Sequence, residues 1–260
     1  DDYSYAFVVT GLGEGKRISE VGNLSSPAEE SVSQFLDYKV HESDDFNLFR
    51  VGRTYYGDKM DLTSTKNFDF SFPNVVTTKL CKVNTALAGR NLKPASFDVM
   101  VDNVKKATYS ISSVPNDHVY GYDVGGWVSA NPTSETVRVT LQHNAQGNST
   151  SEGYVDYIIV NACRNLNFVG EQMLFRNPEA SINNKVYEYK LSNASQQVKV
   201  SNVTDPVSPS VVKGQLNGNV FSFRVYGDAD NEFIAFNSSS YCSAKTFGAV
   251  DNQNLHGIRD

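Results

Sequence analysis

Along much of the chain, apolar and polar residues trade places at every step, the pattern of half-buried strands. In residues 97–101 (FDVMV), Phe97, Val99 and Val101 fall on one face and Asp98 and Met100 on the other. In 137–143 (VRVTLQH), Val137, Val139 and Leu141 oppose Arg138, Thr140 and Gln142. In 220–226 (VFSFRVY), Phe221, Phe223 and Val225 oppose Ser222 and Arg224. Residues 154–160 (YVDYIIV) are apolar on both faces apart from Asp156, which predicts a central strand between packed layers. Turn chemistry separates the runs at Phe72-Pro73-Asn74, Pro115-Asn116-Asp117, Gly125-Gly126, Asn131-Pro132, Gly147-Asn148 and Asn217-Gly218. The last lies between a short polar strand and 220–226, as a type I′ hairpin requires.

Helical periodicity is nearly absent. Residues 27–36 (PAEESVSQFL) predict one short helix, with Ser26 as cap, Pro27 at the first helical position and Glu29 and Glu30 near the positive end. Val32, Phe35 and Leu36 would form its apolar stripe. Many short strands, frequent turns and no βαβ rhythm predict an all-β chain of the β-sandwich or jelly-roll kind, with little helix. The texture changes near Asn177-Pro178. The expected organisation is a β or irregular segment with the short helix over 1–45, a jelly-roll-like sandwich over 46–176, a smaller β unit over 177–250 and a linker over 251–260.

Composition narrows the partners. The 260 residues are 40% hydrophobic and 20% charged, enough for a packed core. A formal charge of −6 argues against nucleic acid and anionic membranes, which select for clustered Lys and Arg. No apolar run approaches the roughly 20 residues of a membrane span. Residues 1–10 (DDYSYAFVVT) lack the basic start and apolar stretch of a signal peptide, which leaves either a cytoplasmic protein or a mature, processed chain; the missing initiator Met favours the second, or a trimmed sequence. Cys81, Cys163 and Cys242 form no CxxC pair, so a zinc site is not expected, and their plainest role is as small buried hydrophobes. Asn-x-Ser/Thr triplets begin at Asn23, Asn148, Asn193, Asn202 and Asn237, a pattern that an Asn- and Ser-rich chain produces by chance.

Candidate chemistry is sparse. Asp228, Asp230 and Glu232 alternate as in a calcium loop but lack its central Gly and later Glu, which favours a solvated turn. Residues 11–15 (GLGEG) are too short for a phosphate loop and open no helix. No catalytic, metal or cofactor site emerges. Tyr55, Tyr56, Tyr120, Tyr122 and Trp127 lie in turn-rich segments, where aromatic rings either stack on sugars or cap the sandwich ends and pack on a neighbouring domain. They form the candidate ligand or interdomain surface.

Several stretches then acquire meaning together: 47–61 (NLFRVGRTYYGDKMD), 68–74 (FDFSFPN), 153–166 (GYVDYIIVNACRNL) continuing to Phe175-Arg176, 202–206 (NVTDP), 233–236 (FIAF) and 252–257 (NQNLHG). In order and spacing they resemble the N-terminal region of the PorU-type, gingipain-like sortases of the bacterial type IX secretion system. Residues 1–39 have no counterpart in that resemblance. It implies a non-catalytic region lying ahead of a cysteine-peptidase domain that is absent from these residues. In that family the peptidase removes sorting signals and joins cargo to surface lipopolysaccharide. The resemblance further implies a secreted protein at the outer membrane of a Gram-negative, Bacteroidota-like bacterium. Its partners would be the downstream peptidase domain, other outer-membrane secretion components and surface polysaccharide. A His-Gly pair marks the family's catalytic histidine, but His256-Gly257 follows polar residues and not a buried strand, so His256 is expected to be a linker contact. The competing reading, from the aromatics, is a carbohydrate-binding jelly roll at the cell surface.

Overall fold

Ala95, Phe97, Val99 and Val101 are buried while Ser96, Asp98 and Met100 between them are half-exposed, so the period-two pattern is realised in space. The computed structural model describes residues 5–9, 11, 13–48, 54–62, 64–114, 120–241 and 243–250. Its strands in chain order are β1 (Ser19–Val21), β2 (Glu30–Val32), β3 (Gln34–Glu42), β4 (Gly57–Asp61), β5 (Ser64–Ser71) and β6 (Cys81–Arg90). They continue as β7 (Ala95–Val101), β8 (Val104–Ile111), β9 (Tyr122–Ala130), β10 (Thr136–Asn144), β11 (Glu152–Asn165) and β12 (Gln172–Arg176). The last are β13 (Val186–Leu191), β14 (Val198–Asn202), β15 (Ser210–Val212), β16 (Gln215–Asn217), β17 (Val220–Tyr226) and β18 (Glu232–Asn237). The protein is all-β, and no helix occurs among the described residues.

The first sandwich packs a sheet of order β3-β11-β6-β9 on one of order β5-β10-β7-β8. β4 pairs with the start of β11, on the same side as β3. Between the sheets, Phe70, Val83, Leu87, Phe97, Val139 and Ile158 form part of one buried cluster. The second sandwich packs the order β1-β15-β14-β18-β12 against β16-β17-β13-β2. Its core is aromatic: Phe175, Tyr189, Phe223 and Phe233 are fully buried, and the rings of Tyr189 and Phe223 stack at 5.2 Å. Tyr189 carries a hydroxyl with no partner among the described residues, and burial pushes its pKa well up. An unpaired buried hydroxyl is a cost without return. Tyr189→Phe is therefore expected to stabilise the second sandwich by about 1 kcal/mol, read as a higher urea midpoint; a lower midpoint would mean the hydroxyl is bonded.

The structure corrects three local expectations. The helix over 27–36 is replaced by β2 and the start of β3. A helix of ten residues is marginal on its own, whereas β2 pairs in parallel with β13 and β3 pairs with β11 along nine residues. Val32 and Phe35 are buried in the second core instead of lining a helical stripe. Gly125-Gly126 is no turn. Both residues lie inside β9 at φ 141° and 150°, and a Cβ on Gly125 would run into the Thr85 carbonyl. Glycine is needed there for β9 to approach β6. The 215–226 hairpin forms as expected, but its loop is Gly218-Asn219 with φ 60° at Gly218 alone, which fits a type II′ turn and not I′.

Where the texture suggested a break after residue 176, the buried clusters divide the chain earlier. Leu166, Met173 and Phe175 belong to the second core, together with Val32 from the N-terminal segment. β3, also from that segment, joins the first sandwich through β11. One joint between the sandwiches is Arg164 at the end of β11. Its Nη1 donates to Asp37 Oδ2 at 2.7 Å, its Nε donates to the Pro73 carbonyl at 2.6 Å, and its guanidinium lies 5.0 Å from the Phe35 ring.

Candidate binding surface

The five aromatics of the sequence reading do not converge on one site. Tyr122 and Trp127 are five residues apart on β9, an odd separation that sends them to opposite faces. Tyr122 is half-buried against the first core, while Trp127 is 55% exposed on the outer face. Tyr56 is only 3% exposed, and its hydroxyl donates to Asp123 Oδ1 at 2.7 Å. Burial first, and the Asp123 carboxylate second, push its pKa well up. With Ala88, Tyr154 and half-buried Leu48 it makes a small third cluster on the outside of the same sheet. Tyr55 is exposed, and the Arg90 guanidinium lies 4.8 Å from the Tyr120 ring.

Trp127 instead belongs to a surface that the sequence pattern did not reveal. Strand register places Trp127, Asn84, Ile159 and Val40 in one row across β9, β6, β11 and β3. The neighbouring rows run Gly125, Ala86, Tyr157, Glu42 and Ser129, Lys82, Asn161, Tyr38. Val40 and Tyr38 are exposed, and Tyr157 and Ile159 half-exposed. Over residues 157–161, β11 is thus central within its sheet but has, among the described residues, a packed layer on one face only: Ile158 and Val160 are fully buried inward. The expectation of layers on both faces is corrected. Asn161, two positions beyond Ile159 on the outer face, was the available sign that this row meets water. The result is an open face with one indole, two phenols, two aliphatic side chains and flanking amides, the chemistry of a stacking platform.

The nucleophile candidates sit elsewhere. Cys81 is buried in the first core and Cys163 is half-buried with Sγ 3.7 Å from Gln34 Oε1. Burial pushes both thiols up, the opposite of activation. His41 on β3 lies 2.5 Å from Asp58 Oδ2, and Lys66 donates to the other carboxylate oxygen at 2.8 Å. Burial alone would raise the Asp58 carboxyl, but the hydrogen bonds from Lys66 and His41 hold it below the usual range. Asp228 Oδ1 accepts from the Asp230 backbone at 3.0 Å, a local turn, and Glu232 opens β18. Among the described residues no three His, Cys, Asp or Glu side chains gather to hold a metal. His118, Cys242, His256 and the 251–260 linker lie outside the described residues. Three of the Asn-x-Ser/Thr triplets carry turn chemistry: Asn148, Asn202 and Asn237 each accept from the backbone or hydroxyl of the residue two places on.

Among the described residues, His143 is the fully buried histidine. Its Nε2 lies 3.2 Å from Ser151 Oγ, which in turn donates to Asn91 Oδ1, and its ring packs 5.0 Å from Phe97. Burial holds its pKa below 6.5. The unfolded chain takes up the proton first, so stability is complete above about pH 6.5 and is lost as pH falls from there towards the lower folded value. The slope is at most about 1.4 kcal/mol per pH unit. His143→Gln should flatten that slope in urea titrations at pH 7.5, 6 and 5; an equally steep variant would assign the acid sensitivity to other groups.

These features define a class, a tandem of antiparallel-rich β-sandwiches with one aromatic outer face. No protein-family profile and no curated protein sequence matches the chain. Among solved structures, dimeric latent PorU from Porphyromonas gingivalis superposes with a TM-score of 0.79 at 18% identity, covering 94% of this chain and 24% of that one. The chain therefore has a PorU-like fold and spans about a quarter of the PorU chain. A CBM36 carbohydrate-binding module in complex with calcium and xylotriose superposes at a TM-score of 0.30, with 14% identity over 46% of this chain and 97% of the module.

Proposed function

We propose that this chain is the non-catalytic N-terminal region of a larger exported polypeptide, where it positions or shields a downstream gingipain-like cysteine-peptidase domain. The observation that carries the reading is the fold likeness to latent PorU over 94% of this chain and only 24% of that one. The ordered sequence motifs support it, and so does the open outer face around Trp127, Ile159 and Val40, the kind of apolar surface on which a neighbouring domain rests. Removal of sorting signals and attachment of cargo to lipopolysaccharide would then be chemistry of the parent polypeptide. Outer-membrane secretion components would be its partners, and the cell surface of a Gram-negative bacterium its location. The test is the size of the native protein in source cells, by immunoblot of the outer-membrane fraction with an antibody against this chain. A band several times heavier than 28.7 kDa supports the reading, and a band at 28.7 kDa overturns it.

A second reading, carbohydrate binding, is favoured by the exposure of the Trp127 ring beside Asn84 in one strand row. Trp127 is the chain's single tryptophan, so its emission reports on that face alone. Titration with lipopolysaccharide from the source cells should give a saturable emission change that Asn84→Ala weakens. A flat titration rejects this reading.

A further inference from the structure

The first sandwich is closed on one side and open on the other. At the closed side, β8 packs alongside β9. At the other side, β3 and β5 are the outer strands of their sheets, and among the described residues neither pairs with a further strand on its free edge. β4 bridges only the lower part, where Asp58 binds both His41 and Lys66. Above it, residues 37–41 and 68–71 line a cleft of about 800 Å³. Phe68 and Phe70, at 8% and 6% exposure, are among the lining residues, and Gln172, Met173 and Leu174 of β12 line it from the second sandwich.

Backbone parity shows which groups face the opening. The Tyr38 N–H donates to the Asp37 carboxylate at 2.8 Å and the Gln34 carbonyl accepts from Asn177 Nδ2 at 3.2 Å, so even-numbered residues of β3 point away from β11. Val40 and Glu42 share that direction by the period of two. Asn177 covers the start of this edge and the Asp37 carboxylate takes the Tyr38 N–H, so the free part runs from the Tyr38 carbonyl to Glu42, about 14 Å, the length of a short strand. Charge is uneven along it. Arg164 is paired with Asp37 and Arg138 with Asp69, while Lys39 is a lining cation that no salt bridge among the described residues uses.

We propose that the β3–β5 cleft is a docking site for an extended peptide segment bearing an acidic side chain, which adds a strand to the free edge of β3. A row of unpaired N–H and C=O groups is satisfied in full by another strand, so the edge itself specifies the backbone conformation of its occupant. Phe68 and Phe70, almost wholly buried, form the apolar floor beneath that strand. Lys39 selects an acidic residue. Long, exposed edge strands are otherwise blunted by proline, bulges or a covering loop, and between Tyr38 and Glu42 β3 has no proline and no break in register with β11.

The probe is a fluorescein-labelled ten-residue peptide of alternating valine and threonine with two central glutamates, titrated by anisotropy against the 260-residue chain. Amide exchange over residues 36–42 is followed in parallel. Binding should slow exchange at Val40 and Glu42. Val40→Pro removes an outward N–H that no strand uses, so it should leave Tm nearly unchanged and weaken binding at least about tenfold. Lys39→Glu, a surface change safe for folding, should weaken the acidic probe about fivefold and favour a lysine-centred one. The proposal fails if the probe does not bind, if binding is indifferent to both substitutions, or if Val40→Pro instead dissolves a dimer of the chain. The last result would make the occupant a second copy of β3.

Discussion

Replacing Arg164 by methionine should cost about 3–5 kcal/mol, because it leaves the Asp37 carboxylate largely buried without its partner. Arg164 is 5% exposed, and the Asp37 side chain 14%. The guanidinium also holds the Pro73 carbonyl and lies over Phe35, a residue of the second core carried on a strand of the first sandwich. One side chain thus ties β11, the loop after β5 and the second core together. Removing it should destabilise both units, lowering the urea midpoint seen by Trp127 emission and by far-UV circular dichroism alike. The double variant Arg164→Met, Asp37→Leu should recover much of the loss, since replacing both members of a buried pair with apolar groups is often nearly neutral. If the single variant unfolds like the parent, the pair is surface decoration and the joint lies elsewhere.

Much of this fold could be read from alternation alone. Residues 97–101, 137–143 and 220–226 became strands with the expected faces because period-two burial is local information. The helix over 27–36 failed for the complementary reason. Ser26, Pro27 and Glu30 carry real capping signals, but β2 and β3 are held by β13 and β11, more than a hundred residues away, and tertiary pairing outweighs weak local propensity. Gly125-Gly126 misled similarly. The pair signals a turn in isolation, yet its purpose is the close approach of β9 to the Thr85 carbonyl, a neighbour that no local window contains.

The site was less legible than the fold. Trp127 and Tyr56 entered the candidate surface on equal terms, because both are aromatic residues next to glycine and turn residues, yet one is exposed and the other buried. Burial of Tyr56 depends on Asp123 and Tyr154 arriving from distant strands. The outer face of β11 was hidden by Tyr157 and Ile159, which read as core until the sheet order shows that no second layer among the described residues covers them. The β3–β5 cleft was invisible in principle: which strands are edges follows from strand order, and strand order is a property of long-range pairing. Physical reasoning from sequence therefore recovers faces well and neighbours poorly in a chain dominated by non-local contacts.

Phe223→Ala separates the two cores most sharply. Phe223 is fully buried, stacks on Tyr189, and meets the Phe233 ring edge-on at 5.1 Å. Truncating such a ring removes transfer energy and leaves a cavity in a rigid aromatic cluster, about 3–5 kcal/mol in all. The hydrophobic clusters on either side of Arg164 share no buried residue, so this loss should fall on the second sandwich. Far-UV circular dichroism should then show an early partial transition, while Trp127 emission, which reports on the first sandwich, keeps nearly the parent midpoint. That contrast with Arg164→Met, which moves both signals, distinguishes a core from a joint. Coincident transitions in Phe223→Ala would mean that the two sandwiches unfold as one cooperative unit, with the Arg164 contacts strong enough to transmit the whole loss.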